Sequence, residues 1–146
     1  MGYFLLSTFF TSAQAHKVVG YLPTYRFHMV EDMKFDQMTH ICIAFANPDE
    51  EGNLSFHNSE NPYSIIKKAH RNDVKVLISL AGGGMKPSWK KNWQKLQQPQ
   101  HRRVFIEKII NYTIAYEFDG IDVDLEWKMV GTHYSDFIIE LGIAAK

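Results

Sequence analysis

The chain predicts an α/β fold with a parallel sheet, on three observations. Four short apolar runs alternate with segments whose apolar residues recur every three or four positions, the pattern of strands interleaved with helices. The connections between successive runs are long enough to hold a helix, which makes neighbouring strands parallel with right-handed crossovers. Composition agrees: 45% hydrophobic residues, and 16 basic against 16 acidic side chains in 146 residues, describe one globular domain.

Taken in order, the first fifteen residues precede that domain. An apolar stretch from Tyr3 to Phe10 is followed by Ala13-Gln14-Ala15, the small-x-small pattern of a secretory cleavage site. Residues 1–15 are therefore expected to be a signal peptide cleaved after Ala15, with residues 16–146 as the mature domain, secreted or periplasmic. The apolar run is too short to span a bilayer, so no membrane span is expected. Cys42 is the only cysteine, so export comes without disulfides. Set among Ile41, Ile43 and Ala44, its thiol reads as core filler in preference to a nucleophile.

The first strand runs from Lys17 to Tyr21 and ends at Leu22-Pro23. A helical turn around Val30 to Met38 leads to the second strand, Thr39 to Ala46, which stops at Asn47-Pro48 before an acidic loop reaching Asn53. Asn61-Pro62 reads as a cap with proline at the first helical position, and Ile65, Ile66 and Ala69 form the buried stripe. Val74 to Leu80 is the third strand, closed by Ala81-Gly82-Gly83-Gly84. A longer helix begins near Pro99 and carries Phe105, Ile109, Tyr112 and Tyr116 on one face. After the fourth strand, Thr132 is expected to cap a last helix with Tyr134, Phe137, Ile138 and Leu141 inward. The order is four β/α units.

The fourth strand, Asp119 to Trp127, is the chemically loaded one. Successive strand side chains alternate faces, so Asp122, Asp124 and Glu126 point one way while Ile121, Val123 and Leu125 point the other. Charges two residues apart rise by roughly 6.6 Å and repel by about 2.5 kcal/mol at an effective dielectric near 20. That raises proton affinity within the row, whose members titrate as a coupled set, and suits general acid work. The competing reading is a row paired with Lys or Arg elsewhere, or exposed on an open face.

Other function classes find less support. Basic residues such as Lys67, Lys68, Arg102, Arg103 and Lys108 are scattered along helices as solvated surface, so no nucleic-acid groove is expected. The seven histidines are dispersed without ligand spacing, and the apolar residues between the acids exclude an EF-hand, so no metal and no cofactor is expected. A metal-dependent phosphohydrolase using the same carboxylates is a rival that chelator sensitivity would reveal. Asn53-Leu54-Ser55 and Asn111-Tyr112-Thr113 are glycosylation sequons, of consequence only in a eukaryotic secretory pathway.

Asp119, Asp122, Asp124 and Glu126 resemble the D-x-x-D-x-D-x-E signature of glycoside hydrolase family 18, the chitinases and endo-β-N-acetylglucosaminidases. Ser79-Leu80-Ala81-Gly82-Gly83 resembles that family's S-x-G-G motif with one extra residue, and Gly20-Tyr21 is similar to the Gly-Tyr of its first strand. From Lys17 onward the resemblance implies a (β/α)8 TIM barrel of which this chain covers roughly the first four units, with the site at the carboxyl end of the strands. An incomplete gene model or fragment is the expectation that goes with half a barrel.

The resemblance implies retaining, substrate-assisted hydrolysis of β-1,4 links between N-acetylglucosamine units in chitin or chitooligosaccharides. Glu126 becomes the general acid, Asp124 the residue that orients the acetamido group, and Asp122 its charge-sharing neighbour. Ser79 and Tyr21 would donate hydrogen bonds to Asp122, or simply fill the barrel. Asp119 has the wrong parity and reads as a structural cap. Gly82 and Gly83 permit close backbone packing beside the sugar or form a plain turn. Trp127 is a candidate sugar platform, and Trp89 and Trp93 are so with packing favoured. A chitinase-like lectin, binding without cleaving, keeps the same fold.

Overall fold

The computed structural model describes residues 16–57, 61–126 and 129–146. Its strands are β1 (Val19–Pro23), β2 (His40–Pro48), β3 (Leu54–Phe56), β4 (Lys75–Ala81) and β5 (Gly120–Asp124). β1, β2, β4 and β5 lie side by side in that order and are parallel, as the four expected strands should be. The helices are α1 (Tyr63–His70), α2 (Pro87–Leu96), α3 (Pro99–Ala115) and α4 (Tyr134–Ala144).

Sheet register explains why one face is dry. Leu22, Ile43, Ile78 and Ile121 stand level across the four strands, and this row shares one apolar cluster with Ile66 of α1, Trp93 of α2, Ile109 of α3 and Phe137 of α4. Trp93, Phe105 and Phe137 meet with ring centroids 5.3 to 6.1 Å apart, a geometry that suits the aromatic quadrupole. The next row, Pro23, Ala44, Ser79 and Asp122, belongs to the opposite face.

Several elements differ from expectation. The acidic loop after β2 is a tight hairpin: Oδ1 of Asp49 accepts the amides of Glu51 and Asn53, and β3 returns antiparallel along Ala46 to Pro48. Asx-turn chemistry, not apolar patterning, makes that element. The helical turn is two 3-10 segments, Thr24–Asp32 and Phe35–Gln37. Helix α2 was not foreseen because polar bonds hold its inner side: Asn92 donates to the Pro48 carbonyl and Trp93 to Oδ1 of Asn47. α1 starts at Tyr63, whose amide Asn61 caps through Oδ1 at 2.9 Å, with Pro62 just outside. Thr132 does not cap α4; His133 takes that place without a side-chain bond, and the turn closes from the Tyr134 amide to the Gly131 carbonyl.

Candidate active site

The face of the sheet away from the helices carries the acids. Ile121 and Val123 join the apolar cluster, so strand alternation turns Asp122 and Asp124 to the other side. There Oδ2 of Asp122 accepts the Ser79 hydroxyl at 2.6 Å and the Tyr21 hydroxyl at 2.9 Å. Ser79 stands level with Asp122 across the β4–β5 pair, and Tyr21 reaches over from β1 past Cys42, its register partner on β2. Burial and then the bond to Asp122 raise the pKa of Tyr21, which keeps the phenol a donor.

Cys42 lies under this bond. Burial, followed by the charge of Asp122, pushes its thiol up to about 11 against the lowering effect of its hydrogen bond with Tyr21. A thiol held protonated is a packing group, not a nucleophile.

Asp124 ends β5, level with Ala81. Burial, then the charges of Glu126 and Asp122, push its carboxyl above its ordinary value. Its carbonyl accepts the Gly82 amide at 3.0 Å, which ties the ends of β4 and β5 together. Glu126 lies just past the strand, and Gly83 faces it closely enough that an added Cβ would sit 3.4 Å from Oε2.

Gly82 is needed where it stands. Its φ is +80° and a Cβ would fall 2.5 Å from the Phe45 ring. Ala81 is also left-handed, at +82°. The consecutive left-handed pair is thus Ala81-Gly82, and at the ungapped spacing Ala81 occupies the first glycine position of S-x-G-G. Asn47 fixes this bend, donating to the Ala81 carbonyl at 3.0 Å while accepting from Trp93. Asn47 and Phe45 were missed as site residues; a buried Asn straight after an apolar run was the signal available.

Asp119 stands apart from the row. Its Oδ2 accepts the Val76 amide and meets Nε2 of His70, each at 2.8 Å. Desolvation opposes, but the Val76 amide and His70 prevail and hold its carboxyl below the usual value. It staples β4 to the entry of β5. Trp127 and the expected leader, residues 1–15, lie outside the described residues. Trp93 is buried in the core and Trp89 is partly exposed. Among the described residues no three His, Cys, Asp or Glu side chains are grouped to hold a metal ion, and no helix is long and apolar enough to cross a membrane.

Comparison with known proteins adds to this geometry. The family model described as "Glycosyl hydrolases family 18" matches residues 17–145. A solved chitinase from the chitin utilization locus of Flavobacterium johnsoniae superposes with a TM-score of 0.84 at 37% identity, over 88% of this chain and 42% of that one. A class V chitinase of Lotus japonicus is 30% identical over 116 residues, 74% of this chain and 28% of that protein. A chitinase-like effector of Moniliophthora roreri is 28% identical over 96 residues, 64% and 23% of the two chains. The chain spans about a quarter of the length of these curated relatives, and its β/α units form part of a (β/α)8 barrel.

Proposed function

Because the chain belongs to glycosyl hydrolase family 18, we propose that it carries the acid row of a retaining glycosidase acting on β-1,4 links between N-acetylglucosamine units of chitin or chitooligosaccharides. Glu126 protonates the leaving oxygen. The substrate's acetamido oxygen attacks the anomeric carbon to give an oxazolinium, and water activated by Glu126 then opens it with net retention. Asp124 accepts the acetamido N–H and steadies the positive charge that develops on that group. Asp122, held by Tyr21 and Ser79, keeps Asp124 in place.

One observation carries this reading: two hydroxyls from separate strands converge on Asp122, beside an Asp124 whose proton affinity is raised by burial and by its acidic neighbours. Clusters shifted in this way are typical of acid–base sites. No cofactor enters the scheme. The leader pattern ending in Ala13-Gln14-Ala15 supports action outside the cytoplasm.

The test is Glu126→Gln, made in this sequence joined to the remaining portion of the Flavobacterium johnsoniae chitinase, whose fold it shares. Hydrolysis of chitotetraose should fall by at least about a hundredfold, within the range of general acid catalysis, while affinity for the oligosaccharide stays. Turnover near that of the parent would remove Glu126 from its role. A parent chimera that binds the sugar and releases nothing would favour the lectin reading instead.

A further inference from the structure

Asn47 lies near the end of β2, two strands away from the acids, and is 2% exposed. Both ends of its carboxamide are bonded: Nδ2 donates to the Ala81 carbonyl at 3.0 Å and Oδ1 accepts the indole N–H of Trp93 at 2.9 Å. We propose that Asn47 is a positioning residue for cleavage of the sugar link, a latch through which helix α2 holds the β4 bend and the bend holds Asp124 and Glu126; the proposal rests on the glycosidase reading above.

Three features carry it. β2 and β4 run level from His40 to Ala44 and then slip by one residue, for Ala44 stands opposite Ser79 but Ala46 opposite Leu80, with Phe45 left over. The slip brings the following residue, Asn47, beside Ala81 instead of one place beyond, and bulges next to reactive sites re-aim side chains in this way. Ala81 is also held at a φ of +82°, a conformation that is costly without glycine and persists only where its surroundings impose it. The Asn47 amide on its carbonyl is such a restraint. Finally, the bend touches both acids: Gly82 donates its amide to the Asp124 carbonyl at 3.0 Å, and a Cβ on Gly83 would lie 3.4 Å from Glu126 Oε2. A shift of the Ala81 carbonyl therefore displaces backbone in contact with both, and a misplacement of about 1 Å costs up to about a hundredfold in rate.

The latch needs an amide. One planar group must give a hydrogen to Ala81 and take one from Trp93. An ionised aspartate only accepts, and sets its charge against the Ala81 carbonyl. A neutral aspartic acid restores the pattern, since its O–H donates and its C=O accepts.

The experiment places Asn47→Asp in the chimera that tests Glu126, with chitotetraose as substrate. At about pH 7.5 its kcat should fall at least about tenfold, with KM nearly unchanged and the circular dichroism spectrum of the parent. As pH is lowered toward about 5, the ratio of variant to parent kcat should climb back toward one, because burial raises the new carboxyl and its neutral form remakes the bond to Ala81. The ratio cancels the titration of Asp122, Asp124 and Glu126, which both proteins share. Trp93→Phe keeps Asn47 but removes its anchor, and should lower kcat a few-fold at every pH. Parental kcat in Asn47→Asp, or a deficit that acid does not repair, would overturn the latch and leave the glycosidase reading standing, since Glu126→Gln would still be inactive. If Asn47→Asp does not fold, Trp93→Phe decides, and parental kcat there would overturn the latch. A parent chimera that hydrolyses nothing would overturn both readings.

Discussion

Among the described residues, two neutral hydroxyls converge on Asp122, and a hydroxyl offsets a neighbouring carboxylate's charge less than a cation does. The effect falls on Asp124, whose carboxyl is raised by burial first and then by Glu126 and Asp122. The folded chain thus binds this proton more tightly than the unfolded chain does. Stability is lost as pH rises from the ordinary carboxylate range through the raised folded value, and the ionised side chain is a cost at neutral pH. Asp124→Asn should add up to about 1 kcal/mol at pH 7, the pairwise repulsion reduced by solvent at this open face. The gain should shrink toward zero below about pH 4, where Asp is itself neutral. Urea unfolding at both pH values measures it; an equal gain at each would contradict the electrostatic origin. Activity should fall in the same variant, a trade of function for stability. At this scale the sequence was readable wherever strand period decides, as for Asp122 and Asp124. Asn47 and Phe45 escaped because their roles arise from contacts more than thirty residues away.

Among the elements, the end of β4 matters most, since its left-handed Ala81-Gly82 pair turns the chain between Phe45 and the acids. Gly82→Ala adds both a strained φ and a clash with the Phe45 ring, and should cost about 2 kcal/mol. Gly84 provides the control: a Cβ there meets nothing within 4 Å and its φ is not left-handed. Gly84→Ala should change stability by less than about 0.5 kcal/mol. Chemical denaturation of the two variants compares them directly, and equal losses would mean that the turn does not need its glycine. The same elements mark the limit of reading by pattern. α1 and α3 announced themselves through apolar spacing, whereas β3 and α2 depend on Asp49, Asn92 and Asn47, polar residues whose partners only the folded chain supplies.

At the scale of the molecule, parallel order followed from the alternation of strands and helices, and the barrel from the acid signature; where each strand ends had to await the register. The register also leaves β1 and β5 paired on one side only among the described residues, with Val19 50% and Tyr21 56% exposed on the face opposite the helices. A barrel of this class closes with about eight parallel strands, and the described residues supply four, with β3 antiparallel beside them. Unpaired parallel edges with apolar side chains are templates for pairing with other chains. The 146-residue chain is therefore expected to self-associate as its concentration rises, through these edges and not through the helical layer. Val19→Lys places a charge on β1 at a position that is half exposed, so it loses little burial while making edge pairing costly. Light scattering against concentration should show association displaced several-fold upward in this variant, with the unfolding midpoint nearly unchanged. If Val19→Lys associates at the same concentration as the parent, the free edge of β1 is not what drives it.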